Sequence, residues 1–244
     1  MGDDTPAAVL SNQLSQPQPF FPPELQPGDQ PADRLLREYR VMSLATRFGN
    51  LKNVLDDAGN QTQVLVIESP FVGNAQFDAL VRQFNAPKAE IDCTFPADAG
   101  PQALREALTR IRAEAEDAVR SGAGHIVLSD MAQDESKVPM PMILATSAVH
   151  SWLTRPGLCA PSPRWRCSAE AIDPHYFAVL IGCGATVVNA YPPRTPRRPD
   201  RAGPSDISLT EAVKLYREAI DQGLLKIMSK MGISVISSYR GGLN

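Results

Sequence analysis

Cysteine is scarce in this chain of 244 residues, with four in all at positions 93, 159, 167 and 183. Their spacing is too uneven for a disulfide framework, a zinc cluster or an iron–sulfur motif, so each is read as a small thiol of a reducing compartment. No apolar run approaches the roughly 18 residues of a membrane span. The net charge of −3 supplies no basic field to hold nucleic acid or an anionic membrane. Aromatic residues are few, at 6%. No Lys or Arg precedes Arg34, and no apolar core follows the first residues, so a secretory leader is not expected there. The three histidines, His125, His150 and His175, pair with no other His or Cys at metal-ligand spacing. What remains is an expectation of a cytoplasmic protein without nucleic acid, membrane or metal among its partners.

Against these absences, 43% of the residues are apolar and 21% charged, close to the globular average. Proline is abundant and unevenly spread. Residues 1–32 hold Pro6, Pro17, Pro19, Pro22, Pro23, Pro27 and Pro31 and no basic side chain. Fixed φ and missing donors make this an extended linker or arm, with Phe20 and Phe21 as its apolar anchors.

From residue 33 a βαβ rhythm sets in. Short β-branched runs are expected as strands at Gln63–Glu68, Ala89–Phe95, His125–Ser129 and Thr186–Tyr191. Helices are expected at Asn74–Phe84, Gln102–Ser121, Pro141–Leu153 and residues 174–182. In the first of them Phe77, Leu80, Val81 and Phe84 share a face. In the second, Leu104, Leu108, Ile111, Ala115 and Val119 recur at helical spacing behind Pro101. Strands every 25 to 35 residues with helices between predict an α/β fold with a parallel sheet. The last helix opens on a capping box, Ser208-Leu-Thr-Glu211, buries Val213, Tyr216, Ala219 and Ile220, and stops at Gly223. A second helix then carries Leu224, Ile227, Met228 and Met231 to Gly232. Ile233–Ser238 reads as one further strand, left without partners near the end of the chain.

In a parallel sheet, working groups stand beyond the carboxyl ends of strands. Candidates by that rule are Glu68 with Ser69, Asp92 with Thr94, Ser129 with Asp130, Asn189, and Ser237 with Tyr239. The competing reading of each is a helix cap or a solvated side chain. Gly182-Cys-Gly184 starts like a phosphate loop but precedes a strand, which favours a helix C-cap. His125 is read as structural and His175 as a first-turn packing or capping group. Lys226 and Lys230 share a solvated helical face. These residues compose no self-contained catalytic constellation.

Several segments resemble the large chain of bacterial glutamate synthase. They are Tyr39-Arg-Val-Met-Ser-Leu-Ala-Thr-Arg-Phe-Gly-Asn50, Ile91-Asp-Cys-Thr-Phe-Pro96, Ile126-Val-Leu-Ser-Asp130 and Val138-Pro-Met-Pro-Met142. More specific are Asp173-Pro-His-Tyr-Phe-Ala-Val-Leu-Ile-Gly-Cys-Gly-Ala185 and Gly223-Leu-Leu-Lys-Ile-Met-Ser-Lys-Met-Gly-Ile-Ser234, the latter followed by Ser238-Tyr-Arg-Gly. The resemblance implies an enzyme that makes glutamate from glutamine and 2-oxoglutarate. In it an amidotransferase domain with an N-terminal cysteine releases ammonia to an FMN barrel. Electrons arrive through a 3Fe-4S cluster from a small (beta) chain that carries FAD and uses NADPH. The amidotransferase cysteine and the cluster ligands are not in this sequence. The chain is therefore expected to be an internal fragment. It would hold an arm over 1–32, a central-type domain over 33–205 and the truncated start of the FMN barrel over 206–244. It would be inactive alone, and its partners would be the small chain and the remaining domains of the large chain. The architecture implied is an incomplete TIM-barrel-like unit. By the same resemblance Met231, Gly232, Ile233 and Ser234 enter the flavin barrel's first strand, where backbone and small side chains meet FMN. The alternative is a stand-alone FMN-dependent or phosphate-binding barrel oxidoreductase. A third reading is an interaction module that uses the proline-rich arm.

Two stretches interrupt the resemblance, Pro156–Cys167 and Pro192–Arg201. Pro161 and Pro163 would remove ladder donors from an expected central strand. Four Pro and four Arg crowd the ten residues of the second stretch. Compensated reading-frame shifts are the expectation. The alternative is a genuine basic loop that docks an acidic partner.

Overall fold

A computed structural model describes residues 41–48, 65–83, 88–158, 164–168, 170–190 and 208–241. The arm over 1–32 and the arginine-rich stretch 192–201 lie outside the described residues. In chain order the strands are β1 (Thr46–Phe48), β2 (Leu65–Ile67), β3 (Lys88–Asp92), β4 (Thr94–Pro96), β5 (His125–Ser129), β6 (Lys137–Pro139), β7 (Arg164–Ser168) and β8 (Val187–Ala190). The α-helices are α1 (Asn74–Gln83), α2 (Gly100–Arg120), α3 (Met142–Thr154), α4 (Pro174–Gly182), α5 (Leu209–Met231) and α6 (Ile236–Tyr239).

The main sheet has four parallel strands in the order β3-β5-β7-β8. Strands succeeding one another in sequence order, with helices between, follow a β/α barrel and differ from a doubly wound sheet, whose order reverses. The four described strands do not close. The α/β parallel architecture expected from the sequence is thus present as an open part of a barrel-like winding. Two antiparallel pairs flank it, β1 with β2 and β4 with β6.

Side-chain alternation divides the core. Ile126 and Leu128 of β5 and Val188 of β8 face the layer of helices, where they join Ile111, Val149, Phe177 and Leu180 in the main cluster. Val127 and Val187 point the other way and are covered by Ile67, Val72 and Leu80. All five residues of β5 are buried, as a central parallel strand with both faces covered requires.

Local chemistry accounts for the helices. α2 carries Pro in its first turn and buries Ala103, Ala107, Ile111 and Ala115, one residue per turn. Leu104, Leu108 and Val119 pack beside that stripe half-buried. Asp173 caps α4 by accepting the Tyr176 N–H at 2.8 Å, with Pro174 in the first turn. Ser208 caps α5 through the Glu211 N–H at 3.2 Å. Gly232, at φ 70°, ends it.

Several expectations need correction. α5 runs unbroken through Gly223 for 23 residues. That glycine serves contact with α4, since a Cβ there would lie 2.4 Å from Cβ and Cγ of Pro174. The buried stripe of α5 is Ile220, Leu224, Met228 and Met231, whereas Val213 and Ala219 are exposed and Tyr216 half-buried. The first turns of the helix reach past the body, so matching periodicity does not bury them. Each side chain of that stripe removed from water is worth about 1.5–3 kcal/mol.

Ile233–Ser238 does not form a strand. Val235 makes one parallel bridge to Ser43, and the chain then turns into α6. The Ser43 N–H donates to the Ser234 carbonyl at 2.8 Å and the Ile236 N–H to the Ser43 carbonyl at 3.0 Å, so the predicted unpartnered edge has a partner. Ala89–Phe95 is two strands broken at Cys93, because the Asp92 carboxylate turns back to accept the Thr94 N–H and hydroxyl at 2.9 and 2.8 Å. The strand expected to be spoiled by prolines forms beyond them, with β7 starting at Arg164 and pairing on both sides.

Candidate functional site

The carboxyl ends of the parallel strands bring together Asp92 of β3, Asp130 after β5, Glu170 after β7 and Asn189 of β8. Each is held in the fold by hydrogen bonds or burial. Asp92 caps its own turn, and its carbonyl and that of Thr94 accept Arg110 Nη2 at 2.9 and 3.0 Å. Ser129 Oγ accepts the Met131 N–H at 3.3 Å. Asp130 is 1% exposed. Asn189 Nδ2 donates to the Val72 carbonyl at 2.8 Å and to Asn74 Oδ1 at 3.0 Å, which pins α1 to the end of β8.

Glu170 has no counterpart among the sequence candidates. Its Oε2 accepts the Met142 N–H at the start of α3, 3.1 Å away, and the Tyr176 hydroxyl of α4. Burial raises its proton affinity above the usual carboxylate range, and the Asp130 charge adds to that. Burial and then the Glu170 charge push the Tyr176 hydroxyl up as well. The signal for Glu170 was its place two residues beyond a strand, hidden because that strand itself was not expected to form.

A second cluster joins β2 to α5. Ser69, 2% exposed, donates from Oγ to Asp221 Oδ1 at 2.5 Å and accepts the Phe71 N–H at 3.0 Å. Arg217 spans Asp221 and Glu68 at 3.5 and 3.3 Å. Burial raises the Asp221 carboxyl, while Ser69 and Arg217 pull the other way. Glu68 is at the surface, and the pairing is a structural brace of modest strength. Ser237 is exposed and Tyr239 buried, so the two do not share a site.

The other sequence candidates are structural too. The Gly182-Cys-Gly184 turn is a helix C-cap, as favoured, with Gly184 at φ 110° and the Ala185 N–H donating to the Leu180 carbonyl at 2.9 Å. His125 opens β5, and burial lowers its proton affinity. Cys93 and Cys183 are not joined in a disulfide. Among the described residues no group of three or more His, Cys, Asp and Glu is placed to hold a metal. No described helix is long and apolar enough to cross a membrane.

Met231–Ser234 forms the C-terminal cap of α5. The Gly232 and Ile233 N–H groups return to the Ser229 and Met228 carbonyls at 3.3 and 3.0 Å, and the Ser234 carbonyl accepts from Ser43. Gly232 and Ser234 are exposed, Ile233 is half-buried and Met231 is 8% exposed. Two amides are therefore taken. The Ser234 side chain and the Cα of Gly232 remain at the surface.

The open, sequentially wound parallel sheet, with its strand-end groups tied into the fold, defines an α/β domain of barrel-like winding. The chain belongs to the glutamate synthase central domain family, whose profile matches residues 1–244. It is 50% identical over 246 residues to the glutamate synthase [NADPH] large chain of Azospirillum brasilense, covering 100% of this chain and 16% of that one. It is 34% identical to the corresponding chain of Bacillus subtilis, over 99% of this chain and 16% of that one. Identity to the ferredoxin-dependent glutamate synthase of Pyropia yezoensis is 32%, again over 99% of this chain and 16% of the relative. The sequence thus spans about a sixth of the length of these relatives. Among solved structures, a flavocytochrome b2 variant with sulfite bound aligns at a TM-score of 0.41 and 13% identity, over 87% of this chain and 50% of the other.

Proposed function

We propose that this chain is the connecting domain of a glutamate synthase large chain, the enzyme that forms glutamate from glutamine and 2-oxoglutarate. In that role it sets the ammonia-releasing amidotransferase domain and the FMN domain at a fixed separation and supplies no reacting group of its own. The observation that carries this reading is the filling of the sheet face opposite α2, α3 and α4, which α1 and the segment before it cover. Ile67, Val72 and Leu80 occupy the space over Val127 and Val187 where a barrel enzyme would keep its inner layer. A well-packed slab of this kind transmits position without taking part in chemistry.

The proposal extends to the whole protein. FMN and a 3Fe-4S cluster would belong to other parts of the large chain, and FAD and NADPH to a small chain docked on it. FMN supplies hydride chemistry when bound. Met231, Gly232, Ile233 and Ser234 would offer it one edge, through the Ser234 hydroxyl and the exposed Gly232 backbone. Residues 1–32 would serve as a linker and 33–205 as the central-type body. Residues 206–244 would lead the chain from that body towards the flavin barrel. The packing of Ile220, Leu224 and Met228 into the main core supports a rigid hand-over between the last two.

Purified 244-residue protein is expected to be colourless and to make no glutamate from glutamine, 2-oxoglutarate and a reductant. Added FMN should bind weakly, if at all. Stoichiometric flavin in the purified protein would favour a stand-alone flavin oxidoreductase and overturn the connecting role.

A further inference from the structure

Ser43 precedes β1 and Val235 follows the cap of α5, so the two stand in the first and the last of the described segments. They face each other in a parallel bridge. Both backbone groups of Ser43 are used in it. Its N–H donates to the Ser234 carbonyl at 2.8 Å, and its carbonyl accepts the Ile236 N–H at 3.0 Å. The Ser43 hydroxyl accepts the Ala45 N–H at 3.1 Å and shapes the turn into β1.

The residues beside the bridge anchor it. Leu44 and Ile236 are buried in the main core, and Met42 and Ile233 pack against it. Tyr239 is buried in the same core. Arg240 Nη2 then donates to Thr186 Oγ1 at 3.2 Å and the Gly241 N–H to the Gly182 carbonyl at 3.1 Å, so the chain stays tied to the turn between α4 and β8. Two short segments paired in water alone are marginal; burial on both sides of the bridge holds these together.

Val41 lies two residues before the bridge and Ser238 three after it, and both are exposed. Adjacent strands are about 4.8 Å apart and each residue advances at most about 3.5 Å, which bounds the Cα separation of Val41 and Ser238 at roughly 20 Å. A compact body of this length measures about 45 Å across. Residues before 41 therefore reach the body, and residues after 241 leave it, at one corner.

We propose that the Ser43–Val235 pairing is a clasp that gathers the entry and the exit of this domain at that corner, so that the parts of a large chain attached on either side depart next to each other. This use of the clasp rests on the connecting role proposed above. The spacing of the flanking parts is then set by the clasp and not by the width of the sheet. The packed body supplies anchorage through Leu44, Ile236 and Tyr239 and does not lie between them.

Electron–electron double resonance on the full 244-residue chain tests this, with spin labels on ketone-bearing side chains at positions 41 and 238, which spare the cysteines. The distance should centre below about 30 Å once the label arms are added to the backbone separation. Amide exchange supplies a second readout. The Ser43 and Ile236 amides should be protected in the wild type. Ser43→Pro removes the donor to Ser234 and should lower protection at Ile236 and Gly241 by about tenfold, the worth of one hydrogen bond, with Ile126–Ser129 of β5 unchanged. Ser43→Ala keeps both backbone groups and should retain the bridge. The distance by itself decides the matter if Ser43→Pro does not fold. A distance centred near 45 Å, freely exchanging Ser43 and Ile236 amides, or Ile236 protection unmoved by Ser43→Pro would overturn the clasp. The flavin test of the connecting role does not depend on this distance, so the two failures are told apart.

Discussion

Gly223 of α5 and Pro174 of α4 touch so closely that a methyl group on the glycine would sit 2.4 Å from the proline ring. Alanine in a helix interior is favoured over glycine by about 1 kcal/mol. Here the steric conflict falls on a stiff ring that cannot swing aside. Gly223→Ala should therefore destabilise the protein by about 1–3 kcal/mol, the usual cost of overpacking. Urea unfolding measures it. A variant as stable as the wild type would mean that α4 and α5 do not cross at these residues.

Ser69 and Asp221 give a second expectation. Ser69→Ala leaves a half-buried carboxylate without its hydroxyl donor and should cost about 1–3 kcal/mol at neutral pH. Burial raises the Asp221 carboxyl relative to the unfolded chain. Its contribution is then fully present below the unfolded value and lost as pH rises through the folded one. The stability of wild type relative to Asp221→Asn should fall as pH increases over that interval. A flat difference would show that the carboxyl is not perturbed.

His125 has the opposite sign. Burial depresses its proton affinity, so the folded state disfavours the imidazolium. Stability is retained above the unfolded value of about 6.5 and lost as pH falls from there through the folded value. Imidazole resonances followed by NMR should titrate below that of a free histidine, and His125→Phe should lessen the loss of stability in mild acid. A normal titration would contradict the buried placement.

The cap of α4 is a local test. Asp173→Ala removes the acceptor of the Tyr176 N–H and should cost about 0.5–2 kcal/mol. Asp173→Asn or Asp173→Ser should restore most of it. Equal losses in all three variants would assign the residue a role other than capping.

Reading the sequence succeeded where a signal and its consequence lie within a few residues of each other. The Pro101 start of α2 with Ile111 and Ala115 on its buried face, the start of α4 at Pro174, the Ser208 cap and the strand β5 are of that kind, although the leucines expected beside Ile111 are only half-buried and Ala103 and Ala107 take their place. It failed where the deciding neighbour is remote. Gly223 looked like a stop because a glycine at the end of an apolar stripe usually is one; Pro174 makes it a crossing point instead. Ile233–Ser238 has strand composition, but a single bridge to Ser43 is all the pairing the described chain gives it. Val213 keeps the period of a buried residue and remains exposed, because periodicity defines a face without saying how far the covering body extends.

The candidate residues divide in the same way. Their position beyond the strands was legible in Asp92, Ser129, Asp130 and Asn189, since strand ends follow from the spacing of the βαβ units. What those side chains bond to was not. Local sequence determined which segments become helix or strand, because propensity, capping and periodicity act over one or two turns of chain. Tertiary structure alone decided that α1 and the segment before it fill the sheet face opposite α2, α3 and α4, that Ser69 meets Asp221 and that Asp130 and Glu170 share one end of the sheet. Burial and electrostatics act through space, and only the folded chain sets those distances.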